Sequence, residues 1–150
     1  MLRAQLEIRR ADPSDADAIS GLLRELGHDS PSDKTAQRIT RLANSNRDAV
    51  FVAVLNERVS GVAHVHMLPL FQADGHIARL TALSVAPDCR RQGVGESLVN
   101  AAEECARNGG CERMEITSGD ERTAAHEFYR AIGYSPVSQR FVRSLAQGRS

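Results

Sequence analysis

Residues 80–98 constrain the fold more than any other stretch of this 150-residue chain. The apolar segment Leu80-Thr81-Ala82-Leu83-Ser84-Val85 reads as a buried strand that stops at Pro87, where a sheet ladder would lose its donor. Arg90, Arg91 and Gln92 lead into Gly93-Val94-Gly95. Glycines at this spacing allow a tight turn whose N–H groups no side chain covers. A helix follows over 94–107, with Leu98, Val99, Ala102, Cys105 and Ala106 in one apolar stripe, and Asn108-Gly109-Gly110 ends it. The next strand spans 111–117. Strand, helix and strand in about 40 residues are long enough for a parallel crossover, which requires α/β structure around a mixed sheet. The positive end of the helix points at the turn, and free N–H groups at a helix N-terminus form an anion site suited to phosphate.

The other elements fit around this unit. Leu6-Glu7-Ile8-Arg9-Arg10 alternates as a short strand, and Asp12-Pro13-Ser14 starts a helix that carries Ile19, Leu22, Leu23 and Leu26 and ends at Gly27. Ser32-Asp33 is expected to cap a second helix with Ala36, Ile39, Leu42 and Ala43 inward. The near-continuous apolar run 49–55 predicts a strand covered on both faces. Asn56-Glu57-Arg58 turns it back into a strand over 59–68, an antiparallel hairpin. Asp120 or Glu121 opens a last helix carrying Ala124, Ala125, Phe128, Tyr129 and Ile132 as far as Gly133, and 134–145 predicts a final hairpin.

Length and charge exclude several functions. One domain over 1–150 is the expectation. The formal net charge is zero, so no global field draws in nucleic acid or an anionic membrane. No apolar run reaches the roughly 18 residues of a membrane span, and Met1-Leu2-Arg3-Ala4-Gln5-Leu6 lacks a signal-peptide core. Cys89, Cys105 and Cys111 are odd in number without metal-ligand spacing, which points to free thiols in a reducing cytoplasm.

The turn alone has several readings. A dinucleotide fingerprint needs a third glycine where Leu98 stands, and a nucleoside-triphosphate loop needs Lys-Ser/Thr where Glu96-Ser97 stands. A plain strand-to-helix connection stays open. The wider pattern is more specific: Arg90-x-x-Gly93-x-Gly95 after an apolar strand, then helix, strand and Ala125-His126-x-Phe128-Tyr129-x-x-x-Gly133-Tyr134. With the opening Ile8-Arg9-Arg10-Ala11-Asp12-x-x-Asp15, this resembles the GCN5-related N-acetyltransferases over nearly the whole chain, and within them the small aminoalkylphosphonate and aminoglycoside acetyltransferases.

The resemblance implies a GNAT-type fold, with a mixed sheet of six to seven strands, about four helices, and a splay beside the cofactor strand. It implies acetyl-CoA as co-substrate and transfer of its acetyl group to a primary amine of a small molecule. An acceptor on a protein or peptide, or an acyl-CoA-binding module without turnover, is the alternative. Arg90, Arg91, Gln92, Gly93, Val94 and Gly95 would hold the diphosphate, with Glu96 and Ser97 opening the helix, and Leu83, Ser84 and Val85 would line the pantetheine arm. Tyr129 matches the family's acid. Relatives carry Glu within the cofactor strand, where Thr81, Ala82 and Leu83 stand here, and Asn where Gly119 stands; Ser118 or Arg122 is expected to compensate for the latter. Glu115, mid-strand between Met114 and Ile116, is the candidate base if burial raises its pKa, and a rim residue bonded to an Arg if not. His64 and His66 share a strand face and could relay a proton, and no metal site is expected there. Segments 28–40 and 69–76, with Asp29, Asp33 and Asp74, would meet a cationic acceptor. The resemblance leaves a homodimer open.

Overall fold

The structure, a computed structural model, describes residues 5–117, 123–137 and 140–146. The chain divides into two compact units, Met1–Thr117 and Ser118–Ser150.

The first unit is one five-stranded sheet with helices on both faces. Its strands are β1 (Leu6–Arg10), β2 (Asp48–Leu55), β3 (Arg58–Pro69), β4 (His76–Val85) and β5 (Cys111–Ile116), paired in that order. Neighbours run antiparallel except β4 and β5, which are parallel and joined through helix α3 (Val94–Asn108). That is the predicted crossover. Helices α1 (Ala16–Glu25) and α2 (Ser32–Ala43) cover the opposite face.

Local chemistry places each piece. Asp12 accepts from the Ser14 N–H while Asp15 accepts from the Asp12 N–H, a capping box ahead of α1. The residue preceding α2 is Pro31, with no side-chain cap, so Ser32 begins the helix instead of capping it. Asn56 and Glu57 both take positive φ (50° and 69°), as a two-residue hairpin turn of primed type requires. The apolar run of β2 is central: Val52 and Ala53 are fully buried, Val52 against α1 and α2 with Ile19, Leu22, Ile39 and Val62. On the other face, a Cβ at Gly61 would lie 2.9 Å from Leu98 Cδ1 and 3.0 Å from Val94 Cγ1. Gly61 is therefore what lets the first turns of α3 sit directly on β3.

The sheet has five strands, not the expected six to seven. The described residues of 134–145 carry no strand, and Val137, Phe141, Val142 and Leu145 are exposed. Alternating apolar residues become a strand only against a partner that buries one face.

The second unit holds α4 (Thr123–Ala131). Its end explains a motif spacing. Gly133 is left-handed (φ 102°); its N–H donates to Arg130 O at 3.1 Å, and the Tyr134 N–H donates to Tyr129 O at 2.9 Å. This pair of bonds is a Schellman closure, which needs Gly four residues after its third-from-last helical position and an apolar contact between the residues on either side. Tyr129 and Tyr134 supply that contact edge to face, with ring centroids 6.3 Å apart.

Candidate active site

The turn after β4 is built as an open cradle. A short 3-10 turn, Pro87–Cys89, follows the strand, and the Cys89 N–H closes it on Ala86 O. Arg91 and Gly93 then both adopt left-handed φ (64° and 81°), and Gly93 caps α3 without any side-chain bond. Among the described residues, the N–H groups of Arg90, Arg91, Gln92, Gly93, Val94, Gly95 and Glu96 donate to no protein acceptor; the first bond of the helix comes from Ser97 to Gly93 O. Arg90 to Gly93 are exposed. Unpaired amides at a helix start, beside two arginines, are what an anion or a diphosphate would satisfy. Arg58 pairs with Asp88 Oδ1 at 2.7 Å, which partly neutralises a carboxylate of the turn that leads to the helix.

Beside the turn, the last residues of β4 pair with β3 alone among the described residues. The strand pairs with β5 only as far as Leu80 opposite Ile116, yet continues along β3 to Val85 opposite Gly61. The Ala86 N–H bonds to Ser60 O, and strand groups alternate sides, so the N–H and C=O of Leu83 and Val85 face away from β3. The main chain of Ser84 faces β3 instead, and its hydroxyl donates to Leu22 O at 2.8 Å, which pins β4 to α1. The main-chain groups of Leu83 and Val85 thus point away from β3 and those of Ser84 toward it.

On the α1/α2 face a polar group interrupts the core. Asp48 Oδ1 lies 2.7 Å from His64 Nε2 and 2.9 Å from His66 Nδ1, and Ser45 donates to its other oxygen at 2.7 Å. His64 Nδ1 meets the Thr81 hydroxyl. Burial pushes the Asp48 carboxyl up, but the bonds from Ser45, His64 and His66 outweigh it and hold the group below the usual range. Next to this group, Arg79 and Arg113 both bond the Glu115 carboxylate, at 3.0 and 3.1 Å.

The profile of the Acetyltransferase (GNAT) family matches residues 17–134. The chain belongs to that family. Curated GNAT relatives include the aminoalkylphosphonate N-acetyltransferase of Salmonella typhimurium, 33% identical over 93% of this chain and 91% of that protein. The aminoglycoside N(6')-acetyltransferase type 1 of Klebsiella aerogenes is 34% identical over 61% of this chain and 62% of its own length. Among solved structures, an aminoglycoside N-acetyltransferase in complex with CoA superposes with a TM-score of 0.84 at 21% identity, over 97% of this chain and 98% of that one. That last likeness concerns the fold.

Within the GNAT chain, the surroundings of Glu115 disfavour the expected role of base. Glu115 sits between two guanidiniums; the Arg79 bond foremost, and the Arg113 bond after it, depress its carboxyl below the usual range despite partial burial. A base needs the opposite shift. Glu115 is the Arg-bonded rim residue, and β4 itself carries no Asp or Glu over His76–Val85. Tyr129 lies on α4, its ring edge-on to Phe128 at 5.3 Å. Ser118, Gly119 and Arg122 fall outside the described residues. The sequence singles out His64 and His66 but not Asp48, which joins them. Counting back from the Asn56-Glu57 turn pairs Asp48 with Val65, on the wrong face. An irregularity near Ser60 moves the register by one and brings Asp48 opposite His66.

Proposed function

We propose that this chain transfers the acetyl group of acetyl-CoA to a primary amine of a small molecule, by direct attack of the amine on the thioester. The observation that carries the reading is that, among the described residues, the unpaired turn amides continue from the stretch of β4 that pairs with β3 alone. The turn would take the diphosphate, with Arg90 and Arg91 beside it. The pantetheine arm would run along Leu83 and Val85 as an added strand. A main-chain N–H on that edge would then face the thioester oxygen; one preorganised donor is worth about 3 kcal/mol at the transition state. Tyr129 would protonate the departing thiolate, a phenol of reference pKa about 10 against a thiol of about 8.5. The names of the relatives support aminoalkylphosphonates and aminoglycosides as the first acceptors to try.

The test is release of free CoA from acetyl-CoA in the presence of aminomethylphosphonate, neamine, and a peptide bearing a free N-terminus and a lysine. The reading expects release with a small amine. Binding of acetyl-CoA with no release in any arm would leave an acyl-CoA-binding module, and release with the peptide alone would move the acceptor to proteins.

A further inference from the structure

β4 carries no Asp or Glu, and the polar group on the α1/α2 face offers the acceptor's proton a destination. β4 carries an extra residue: His64 pairs with Ala82 and Val65 with Leu80, which leaves Thr81 as a bulge. A bulged residue and its neighbour share a side of the sheet. In a regular strand Thr81 would share the α3 face with Leu83 and Val85; the bulge turns it onto the face of His64. Thr81 is exposed and is the first residue of β4 beyond the last pair with β5, Leu80 opposite Ile116. Two residues further, about 7 Å along the strand, begins the stretch where Leu83 points its main-chain groups away from β3.

The hydrogen bonds fix a direction. Asp48, with a side chain only 8% exposed, accepts from Ser45 and from both imidazoles. An ionised Asp48 requires His64 to donate through Nε2, so neutral His64 has its lone pair on Nδ1 and accepts from the Thr81 hydroxyl. The order is that of a hydroxyl, an imidazole and an orienting carboxylate. Next to the cluster, His66 shares Asp48, and Glu115 pairs with Arg79 and Arg113. Among the described residues, α1 and α2 send no hydrogen bond or ion pair to the cluster.

Resting on the acetyl-transfer reading, we propose that Thr81, His64 and Asp48 form the proton relay that deprotonates the acceptor ammonium at the mouth of the β4 edge. Thr81 Oγ takes a proton from the ammonium as its own proton passes to His64 Nδ1. The imidazolium is held by Asp48 through Nε2–H. The freed amine lone pair forms the C–N bond, and the C–S bond breaks as the tetrahedral intermediate collapses. The proton lost from the new amide nitrogen balances the one gained by the CoA sulfur, and His64 returns its proton to solvent. Asp48 is a positioning residue in this scheme.

The experiment uses the full chain with acetyl-CoA and whichever of aminomethylphosphonate or neamine it acetylates. Thr81→Val is expected to lower kcat about 100-fold near neutral pH. Acetyl-CoA affinity stays unchanged, and the loss shrinks as pH approaches the amine's own pKa. Thr81→Ser restores most of the rate, and His64→Asn behaves as Thr81→Val. Proton–nitrogen NMR of the wild-type imidazoles is expected to show His64 in the Nε2–H tautomer, with an Nδ1 signal that moves in Thr81→Val. Wild-type rates and an unchanged pH profile in Thr81→Val and His64→Asn would overturn the relay while leaving acetyl transfer intact, as would an Nδ1–H tautomer. A wild type that acetylates no amine would remove the acetyl-transfer reading itself, and the relay with it.

Discussion

Asp15 shows how much one side chain can hold at the start of this chain. It is buried, bonds Arg9 twice at 2.8 and 3.0 Å, and accepts the Asp12 N–H. The Arg9 guanidinium, more than the opposing effect of burial, keeps its carboxyl below the usual range. A depressed folded-state pKa contributes stability that is present above the unfolded value, about 3.9, and is lost as pH falls through the folded one. Asp15→Ala should therefore lower the unfolding free energy at neutral pH by about 0.5–2 kcal/mol, the range for a lost cap, and the gap from wild type should narrow in acid. Urea titrations at the two pH values read this directly. At the proposed acid, Tyr129→Phe keeps the ring against Phe128 and Tyr134 but removes the hydroxyl. Turnover should fall about 100-fold with acetyl-CoA affinity unchanged, measured by steady-state CoA release beside calorimetry. Full activity in Tyr129→Phe would remove the acid assignment.

At the level of elements, the position of α3 matters most, because its first turn carries three of the unpaired amides. Gly61 sets that position through its contact with Val94 and Leu98. A valine there would have to push α3 away from β3; overpacking of this kind costs about 1–3 kcal/mol. Gly61→Val should lower the melting temperature and weaken acetyl-CoA binding together, whereas a surface change such as Arg41→Gln should do neither. Thermal melts with and without acetyl-CoA separate the two effects. The elements also show what sequence could and could not reveal. The glycine turn and the Gly133 closure were readable because each demands particular residues at fixed spacing. The bulge at Thr81 and the register step near Ser60 were not, because each depends on how two strands meet and leaves no local signature. Those two irregularities are what bring Asp48, His64 and Thr81 together.

For the whole molecule, the zero net charge means that no long-range field gathers an anionic co-substrate, so recognition has to come from the turn itself. The missed strand count belongs to this scale as well: whether apolar residues in 134–145 form a strand depends on a partner edge, not on their own pattern. No described helix is long and apolar enough to cross a membrane. The account's central claim is that main-chain amides of 90–96 grip a diphosphate and so set the thioester against β4. Calorimetric titration of the full chain with acetyl-CoA, and in parallel with acetylpantetheine, which lacks the diphosphate and the nucleotide beyond it, with acetyl-phosphopantetheine as the intermediate case, tests it most directly. The account predicts heat and saturable binding for acetyl-CoA, and binding weaker by at least about 100-fold for acetylpantetheine, the loss of two charge-assisted hydrogen bonds. No heat with acetyl-CoA, or equal affinity for acetyl-CoA and acetylpantetheine, would contradict it.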